Sequence, residues 1–259
     1  MYKNFVCVTD RKISRAPFLQ QRDLITKALG SNEVELVTYP DRKEDEATLI
    51  ERSADAEVVV LSNIAYPASV MQQNPNLKYV CVAFTGYDHV DMAYCRQQGI
   101  QVSNCAGYST VAVADLVFGL VLDVYRNISL LNSQVRMGGT KDGLVGPELE
   151  GKRFGVIGAG AIGSRVIRIA QAFGCEVVAY SRTRKEIEGV TFVELDELLS
   201  TSDIVSLHVP QTPETTGMIG AEQLALMKPT SILINCARGP IVDSQALADA
   251  LNEDRIAGA

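Results

Sequence analysis

The sequence predicts an α/β fold with parallel β-sheets, and three observations support this prediction. Apolar strand-like runs alternate with polar helical stretches over roughly the first hundred residues. A glycine-rich turn at residues 158–163 then joins an apolar strand to a helix. The same alternation continues from Gly151 to the end of the sequence. Parallel strands need crossover connections, usually helices, so this alternation favours parallel sheets.

Five strands are predicted in the first part of the chain. Each is a short apolar run, rich in β-branched or aromatic residues, between polar or turn-forming residues. They lie at Phe5–Thr9, Val34–Tyr39, Val58–Ser62, Tyr79–Ala83 and Gln101–Ser103. Helices are predicted between them at Phe18–Leu29, Glu44–Arg52 and Met92–Gln98. We therefore expect a first domain over residues 1–104.

A long apolar segment, Thr110–Asn132, follows a loop and has apolar residues nearly all round its first half. A helix without a polar face must be buried against another element or a second subunit. We prefer a homodimer contact through residues 110–132, and the alternative is packing between domains. Residues 133–150 then form a Gly-rich polar connection.

The rest of the chain has the pattern of a second α/β domain, which we expect over residues 105–259. Apolar runs of strand length recur there with helical stretches between them. Strands are predicted at Gly155–Ile157, Val177–Tyr180, Ile204–His208 and Ser231–Asn235, with another from Ile256 onward.

The turn into the first helix of this domain has the spacing G-x-G-x-x-G, with Gly158, Gly160 and Gly163. In a dinucleotide site the first glycine permits the tight turn and the second lets a pyrophosphate approach the backbone. The third lets helix and strand pack closely. The following helix, predicted at Ser164–Phe173, offers N–H groups and a partial positive charge to phosphates. The pattern predicts dinucleotide binding, and the alternative is a purely structural turn.

The end of the next strand indicates which dinucleotide would bind. NAD sites usually place an Asp or Glu there for the ribose hydroxyl, whereas NADP needs cations for its 2′-phosphate. Residues 180–185 read Tyr-Ser-Arg-Thr-Arg-Lys, and no carboxylate precedes Glu186. Ser181 and Arg182 therefore favour NADP, with NAD tolerated, because an Arg holds a phosphate by charge-assisted hydrogen bonds. The alternative is a solvated basic turn.

Composition excludes several classes of protein. The 259 residues suffice for two domains, and 47% apolar with 21% charged residues is typical of a globular protein. A net charge of −7 argues against nucleic acid as the principal partner. The six cysteines show no C-x-x-C or metal-ligand spacing, which predicts no metal site and suits a reducing cytoplasm. We see no secretory signal, and the apolar run 111–122 is too short for a membrane span.

Further motifs follow the glycine turn in a fixed order. They read His-Val-Pro-Gln-Thr-Pro-Glu-Thr-Thr at 208–216, Met-Lys-Pro at 227–229 and Leu-Ile-Asn-Cys-Ala-Arg-Gly-Pro-Ile-Val-Asp at 233–243. With Thr-Gly-Tyr-Asp-His-Val-Asp at 85–91, the chain closely resembles the D-isomer-specific 2-hydroxyacid dehydrogenases. That family includes glycerate, phosphoglycerate and hydroxypyruvate-reducing members. The resemblance implies a Rossmann cofactor domain and a flavodoxin-like substrate domain. It also implies hydride transfer between NAD(P)H and a small 2-oxo acid of the glyoxylate or hydroxypyruvate class.

The resemblance also implies roles for individual residues. Arg238 would anchor the substrate carboxylate and polarise the ketone, and the guanidinium fork suits both tasks. The alternative is an Arg on a surface loop. The backbone at Thr85 and Gly86 would hold the carboxylate from a second side. The residues implied in cofactor binding are Thr110, Gly158, Gly160, Ala161, Ile162, Gly163, Ser181, Arg182, His208, Val209, Pro210, Thr215, Cys236 and Ala237.

The chain has two histidines, His89 and His208. A histidine beside a strand end could act as a general base. The resemblance instead assigns His208 to the cofactor wall and gives His89 no role. In the family, the proton donor belongs to a later Pro-His segment, with a Glu that tunes it, and residues 1–259 contain neither. We therefore expect low turnover. Two interpretations stay open: a fragment of a longer enzyme, or a natural short form that binds a dinucleotide and dimerises or senses without catalysis.

Overall fold

The computed structural model describes residues 4–8, 35–39 and 41–259. The chain divides into two compact units, Met1–Tyr108 and Ser109–Ala259. Among the described residues, each unit contains a five-stranded sheet, and every strand pair in both sheets is parallel. The prediction of an α/β fold with parallel sheets is confirmed.

The strands of the first unit are β1 Asn4–Val8, β2 Glu35–Tyr39, β3 Val58–Leu61, β4 Tyr79–Val82 and β5 Gln101–Asn104. They form a sheet with the order β2-β1-β3-β4-β5. The described helices are Glu46–Ser53, Ala68–Met71 and Met92–Gln98. Asp45 and Asp91 each cap the helix that follows them, because their side chains accept from the backbone N–H groups of Thr48 and Tyr94. The predicted helix Phe18–Leu29 lies outside the described residues.

The strands of the second unit are β6 Arg153–Ile157, β7 Glu176–Tyr180, β8 Val190–Phe192, β9 Ile204–Leu207 and β10 Ile232–Asn235. They form a sheet with the order β10-β9-β6-β7-β8. Helices follow at Thr110–Arg126, Ile128–Arg136, Ala161–Ala172, Leu195–Thr201, Ala221–Leu226 and Ser244–Asn252, with a 3₁₀ turn at Gly239–Ile241. β8 is too short to stand out in the sequence. The strand predicted from Ile256 is reduced to a bridge between Gly258 and Ile232.

The apolar segment predicted at Thr110–Asn132 differs from its prediction. Asn127 adopts a left-handed conformation with φ 52°, which ends one helix and starts the next. Only one face of the first helix packs into the unit's core, through Ala114, Val117, Phe118, Val121 and Tyr125. On the opposite side Leu116 and Leu120, one turn apart, are 54% and 38% exposed. Within the chain this helix is therefore buried on one side only, and contact of the other side with a second subunit stays a prediction.

Asp203 fixes the amino-terminal edge of the second sheet. Its carboxylate accepts from the Arg153 N–H at 2.8 Å and from Lys228 Nζ at 2.9 Å, and its carbonyl accepts from the Ile232 N–H at 3.0 Å. Burial by itself would raise the pKa of Asp203, but these donors lower it below its usual value. Lys228 of the Met-Lys-Pro motif thus has a structural role at the edge where β6, β9 and β10 begin.

Three further observations limit the class of protein. Within residues 4–8, 35–39 and 41–259, no helix combines the length and apolarity needed to cross a bilayer. The same residues contain no group of His, Cys, Asp or Glu side chains arranged to hold a metal ion. Of the cysteines whose side chains the structure describes, five are free thiols, namely Cys81, Cys95, Cys105, Cys175 and Cys236.

Candidate functional site

The glycine turn lies at the carboxyl end of β6, between the ends of β7 and β9. Gly158 has φ +100°, and its N–H donates to the Tyr180 carbonyl at 2.8 Å. A Cβ added at Gly158 would lie 2.7 Å from the His208 carbonyl oxygen. Both the backbone angle and the close neighbour require glycine here.

The other two glycines have opposite surroundings. A Cβ at Gly163 would lie 1.9 Å from the Gly158 carbonyl oxygen, so this glycine permits the helix to pack against the turn. A Cβ at Gly160 would meet no atom within 4 Å. Gly160 is exposed and faces open space at the start of the helix Ala161–Ala172. The dinucleotide pattern needs this arrangement, in which the second glycine is reserved for a ligand.

The helix begins at Ala161, three residues earlier than predicted, and no side chain caps it. Ala161 and Ile162 therefore belong to its first turn, where backbone N–H groups lack partners within the helix. Such an uncapped end attracts an anion through its N–H groups and the helix dipole. The residues present thus fit the diphosphate of a dinucleotide.

The three cationic side chains of the basic turn after β7 differ in their contacts. Arg184 forms an ion pair with Glu194 at 2.6 Å. Lys185 Nζ donates to the Ala159 carbonyl within the glycine turn at 2.9 Å. Arg182 is exposed, and Ser181 is half-buried. Lys185 could not be selected from the sequence, because its contact is with a backbone atom that is distant along the chain.

Arg182 also lies close to the loop that follows β9. The pKa of Glu214 is lowered, chiefly because the Thr212 side chain hydrogen-bonds to it and to a smaller extent because of the Arg182 charge. In the same loop, Thr215 Oγ1 donates to the Pro210 carbonyl at 2.6 Å and accepts from the Thr212 N–H at 2.8 Å. Thr215 therefore shapes this loop from within.

His208 is held at the end of β9 by two contacts. Its backbone N–H donates to the Ile157 carbonyl at 2.7 Å, and its Nε2 lies 2.8 Å from the Oγ of buried Ser206. Burial lowers the pKa of His208 to about 4, so the imidazole is neutral at physiological pH. Val209, the next residue, also lies beside the glycine turn, since its Cγ1 is 3.0 Å from a Cβ built at Gly158.

The loop after β10 is folded by an asparagine that sequence reasoning did not select. Asn235 Oδ1 accepts from the Ala237 N–H at 3.0 Å, and its Nδ2 donates to the Arg238 carbonyl at 2.9 Å. Arg238 is half-buried and donates from Nη1 to the Ala237 carbonyl at 3.0 Å. Burial raises the pKa of the Cys236 thiol, which keeps it neutral. Asn235 thus fixes the backbone on which Arg238 sits.

Thr85 and Gly86 lie in the first unit, just beyond the carboxyl end of β4. Asn104 Nδ2 donates to the Thr85 carbonyl at 2.6 Å. The Cys105 N–H donates to the Phe84 carbonyl at 3.0 Å. Two bonds from the end of β5 therefore hold this loop, and Asn104 is a second positioning amide that the sequence did not reveal.

In the second unit, topology brings most of the predicted cofactor residues to one edge. β10, β9, β6 and β7 are neighbours and parallel, so the loops after them lie at the same edge of the sheet. Open α/β sheets bind ligands at this carboxyl edge. Thr110 is the first residue of the helix Thr110–Arg126 and is half-buried.

Comparison with known proteins gives a family for most of the second unit. Residues 118–259 match the family model described as D-isomer specific 2-hydroxyacid dehydrogenase, NAD binding domain. Over 220 residues the chain is 41% identical to a glyoxylate reductase from Thermococcus litoralis, covering 80% of this chain and 66% of that protein. Over 227 residues it is 37% identical to a hydroxypyruvate reductase from Blautia hydrogenotrophica, covering 83% and 70%. The chain therefore spans only part of each relative's length.

A solved structure with a similar fold is the acyclic imino acid reductase Bsp5 in complex with NADPH and D-Arg. Its TM-score is 0.90 at 29% sequence identity, and the match covers 99% of this chain and 81% of that one. The similarity thus extends over both units.

Proposed function

The chain belongs to the D-isomer specific 2-hydroxyacid dehydrogenases, and on this premise we propose that it is an oxidoreductase of small 2-oxo and 2-hydroxy acids. The names of the two relatives support a substrate of the glyoxylate or hydroxypyruvate class. When bound, a reduced nicotinamide dinucleotide supplies the hydride for the ketone carbon. The observation that carries the proposal is the open space at Gly160, in front of an uncapped helix.

The proposal assigns the diphosphate to the backbone at Gly160, Ala161 and Ile162. Gly158 and Gly163 shape the turn that carries these N–H groups. Val209, Pro210 and Thr215 would line one side of the dinucleotide, and Cys236, Ala237 and Thr110 would line its nicotinamide half. His208 supports this wall and shapes the turn through its carbonyl oxygen.

We assign the 2′-phosphate of NADP to Ser181 and Arg182, with NAD tolerated. Arg182 is exposed at the end of β7, where the ribose lies in sites of this kind. Arg184 is less suited because Glu194 already neutralises it. If the basic turn is only solvated, removing Arg182 will not distinguish NADPH from NADH.

Arg238 is our candidate for the substrate carboxylate and carbonyl. Its guanidinium offers a fork of donors, and Asn235 fixes the backbone that carries it. The backbone of Thr85 and Gly86, fixed by Asn104, is the candidate for a second hold on the carboxylate. Both assignments follow from the family motif and use residues at the carboxyl edges of parallel strands.

Neither histidine suits the role of proton donor. His208 is half-buried, neutral and hydrogen-bonded to Ser206, and the family motif gives His89 no role. Absence of a positioned acid costs about 10²- to 10⁴-fold in rate. We therefore expect residues 1–259, assayed alone, to bind the dinucleotide and to turn over slowly.

A homodimer through residues 110–132 and a cytoplasmic location are also part of the proposal. Leu116 and Leu120 are exposed on one side of the helix Thr110–Arg126, which suits contact with a second copy. Free thiols at the five described cysteines are usual in a reducing compartment.

Fluorescence titration with NADPH and NADH, followed by assays with hydroxypyruvate and glyoxylate, tests the function. We expect saturable binding and slow formation of the D-2-hydroxy acid. Failure of both dinucleotides to bind would refute the proposal. Binding without turnover, even after fusion to the part of the Thermococcus enzyme beyond the matched segment, would favour a non-catalytic dinucleotide-binding module.

A further inference from the structure

Lys185 makes a contact that the proposed function does not use. Its Nζ lies 2.9 Å from the carbonyl oxygen of Ala159, the residue between the first two glycines of the turn. Ser164 Oγ donates to the same oxygen at 3.1 Å. Two side chains from different elements therefore converge on one backbone carbonyl.

This carbonyl belongs to the peptide unit that joins Ala159 to Gly160. In a planar trans peptide the C=O and the N–H point in opposite directions. Holding the Ala159 oxygen toward Lys185 and Ser164 therefore directs the Gly160 N–H away from them. An N–H in that orientation is available to an anion seated at the turn.

Glycine makes this peptide easy to misalign. Gly160 has no Cβ, and a Cβ built there would meet no atom within 4 Å, so its backbone can adopt more orientations than that of another residue. The rotated peptide would present its carbonyl oxygen to the diphosphate, which would repel it. The Ala159 side chain is buried in the core and stays in place when the peptide rotates. The turn therefore gains from a clamp on this peptide.

We propose that Lys185 is a positioning residue that, together with Ser164, holds the 159–160 peptide in its anion-binding orientation. This inference rests on the proposed dinucleotide site. The diphosphate is common to NADH and NADPH, so loss of the clamp weakens both dinucleotides equally. Lys185 thereby differs from Arg182, which discriminates between the two.

Dissociation constants for NADH and NADPH test the clamp in Lys185→Met, which keeps the aliphatic stem and removes the donor. We expect both constants to rise about 10-fold, the effect of one hydrogen bond with a charged donor. Lys185→Arg should restore most of the affinity because it keeps a cationic donor. Arg184→Met is the matched control: it removes one charge from the same turn, but Arg184 contacts Glu194 and not the glycine turn.

The outcomes separate this inference from the proposed function. If the unaltered protein binds neither dinucleotide, the proposed function fails first. If it binds both and Lys185→Met resembles Arg184→Met, the clamp is refuted. A loss confined to NADPH would also refute it, because Lys185 would then act on the 2′-phosphate. The melting temperature without ligand should stay close to that of the unaltered protein, since Lys185 is exposed.

Discussion

The Gly158 carbonyl oxygen lies where a side chain at Gly163 would have to begin, 1.9 Å from a Cβ built there. The first turn of the helix Ala161–Ala172 can pack on the end of β6 only because position 163 has no Cβ. Gly160, three residues earlier, meets no such neighbour. The two glycines therefore serve different purposes, packing at 163 and ligand access at 160.

Gly163→Ala and Gly160→Ala should have opposite effects. Gly163→Ala forces the backbone apart and should lower the free energy of unfolding by about 1–3 kcal/mol, as overpacking does. Gly160→Ala should change stability little and weaken NADPH binding by about 10-fold or more, because the new methyl group occupies the pyrophosphate's approach. Urea unfolding and fluorescence titration measure the two effects. Full affinity in Gly160→Ala would contradict a diphosphate at this turn.

Arg182→Ala should raise the dissociation constant for NADPH about 10- to 100-fold and change that for NADH less than about 2-fold. The physical reason is that only NADPH carries the 2′-phosphate. Titration of both dinucleotides measures the ratio. Arg184→Ala, whose charge Glu194 neutralises, is the control and should leave the ratio unchanged. If Arg182→Ala weakens the binding of NADH and NADPH equally, the assignment of the 2′-phosphate to Arg182 is wrong.

Stability should decrease as the pH falls from about 6.5 to about 4 because of His208. Its folded pKa is about 4 and its ordinary value is 6.5, so the unfolded chain binds the proton first. The free energy of unfolding therefore rises with pH across this window. We expect a loss of about 2 kcal/mol from this group between pH 7.5 and 5. Urea unfolding at both pH values measures it.

His208→Gln should flatten this pH dependence. An NMR titration of the imidazole protons checks the same point directly, since the His208 resonance should not shift above about pH 5. A His208 midpoint near 6.5 would show that its ring is solvated and would reopen its assignment as a proton donor.

Leu116→Glu should convert a dimer into a monomer. Leu116 is 54% exposed on the apolar face of the helix Thr110–Arg126, and a buried unpaired carboxylate would oppose association. Light scattering after size exclusion measures the mass. Leu226→Glu, at a leucine that is 40% exposed on another helix, should leave the mass unchanged. If the unaltered protein is a monomer, the proposed homodimer is refuted.

Much of the fold could be predicted because it is encoded in local patterns. Met92–Gln98 agrees residue for residue with its prediction, and most predicted strands agree with the observed ones to within one or two residues. The helix after the glycine turn began earlier than predicted, because the sequence places Ala161 and Ile162 next to glycines that suggest a loop. The break at Asn127 was missed, since a left-handed Asn inside an apolar run has no strong local signal.

The sequence alone determined the class of the fold, the family and the glycine turn, because periodicity and motif spacing are properties of neighbouring residues. Tertiary structure alone decided which groups meet across distant parts of the chain. Lys185 reaches the Ala159 carbonyl, Asn104 reaches Thr85, and burial keeps His208 neutral. These relationships depend on contacts with backbone atoms and on the burial of side chains, and neither can be read from the sequence.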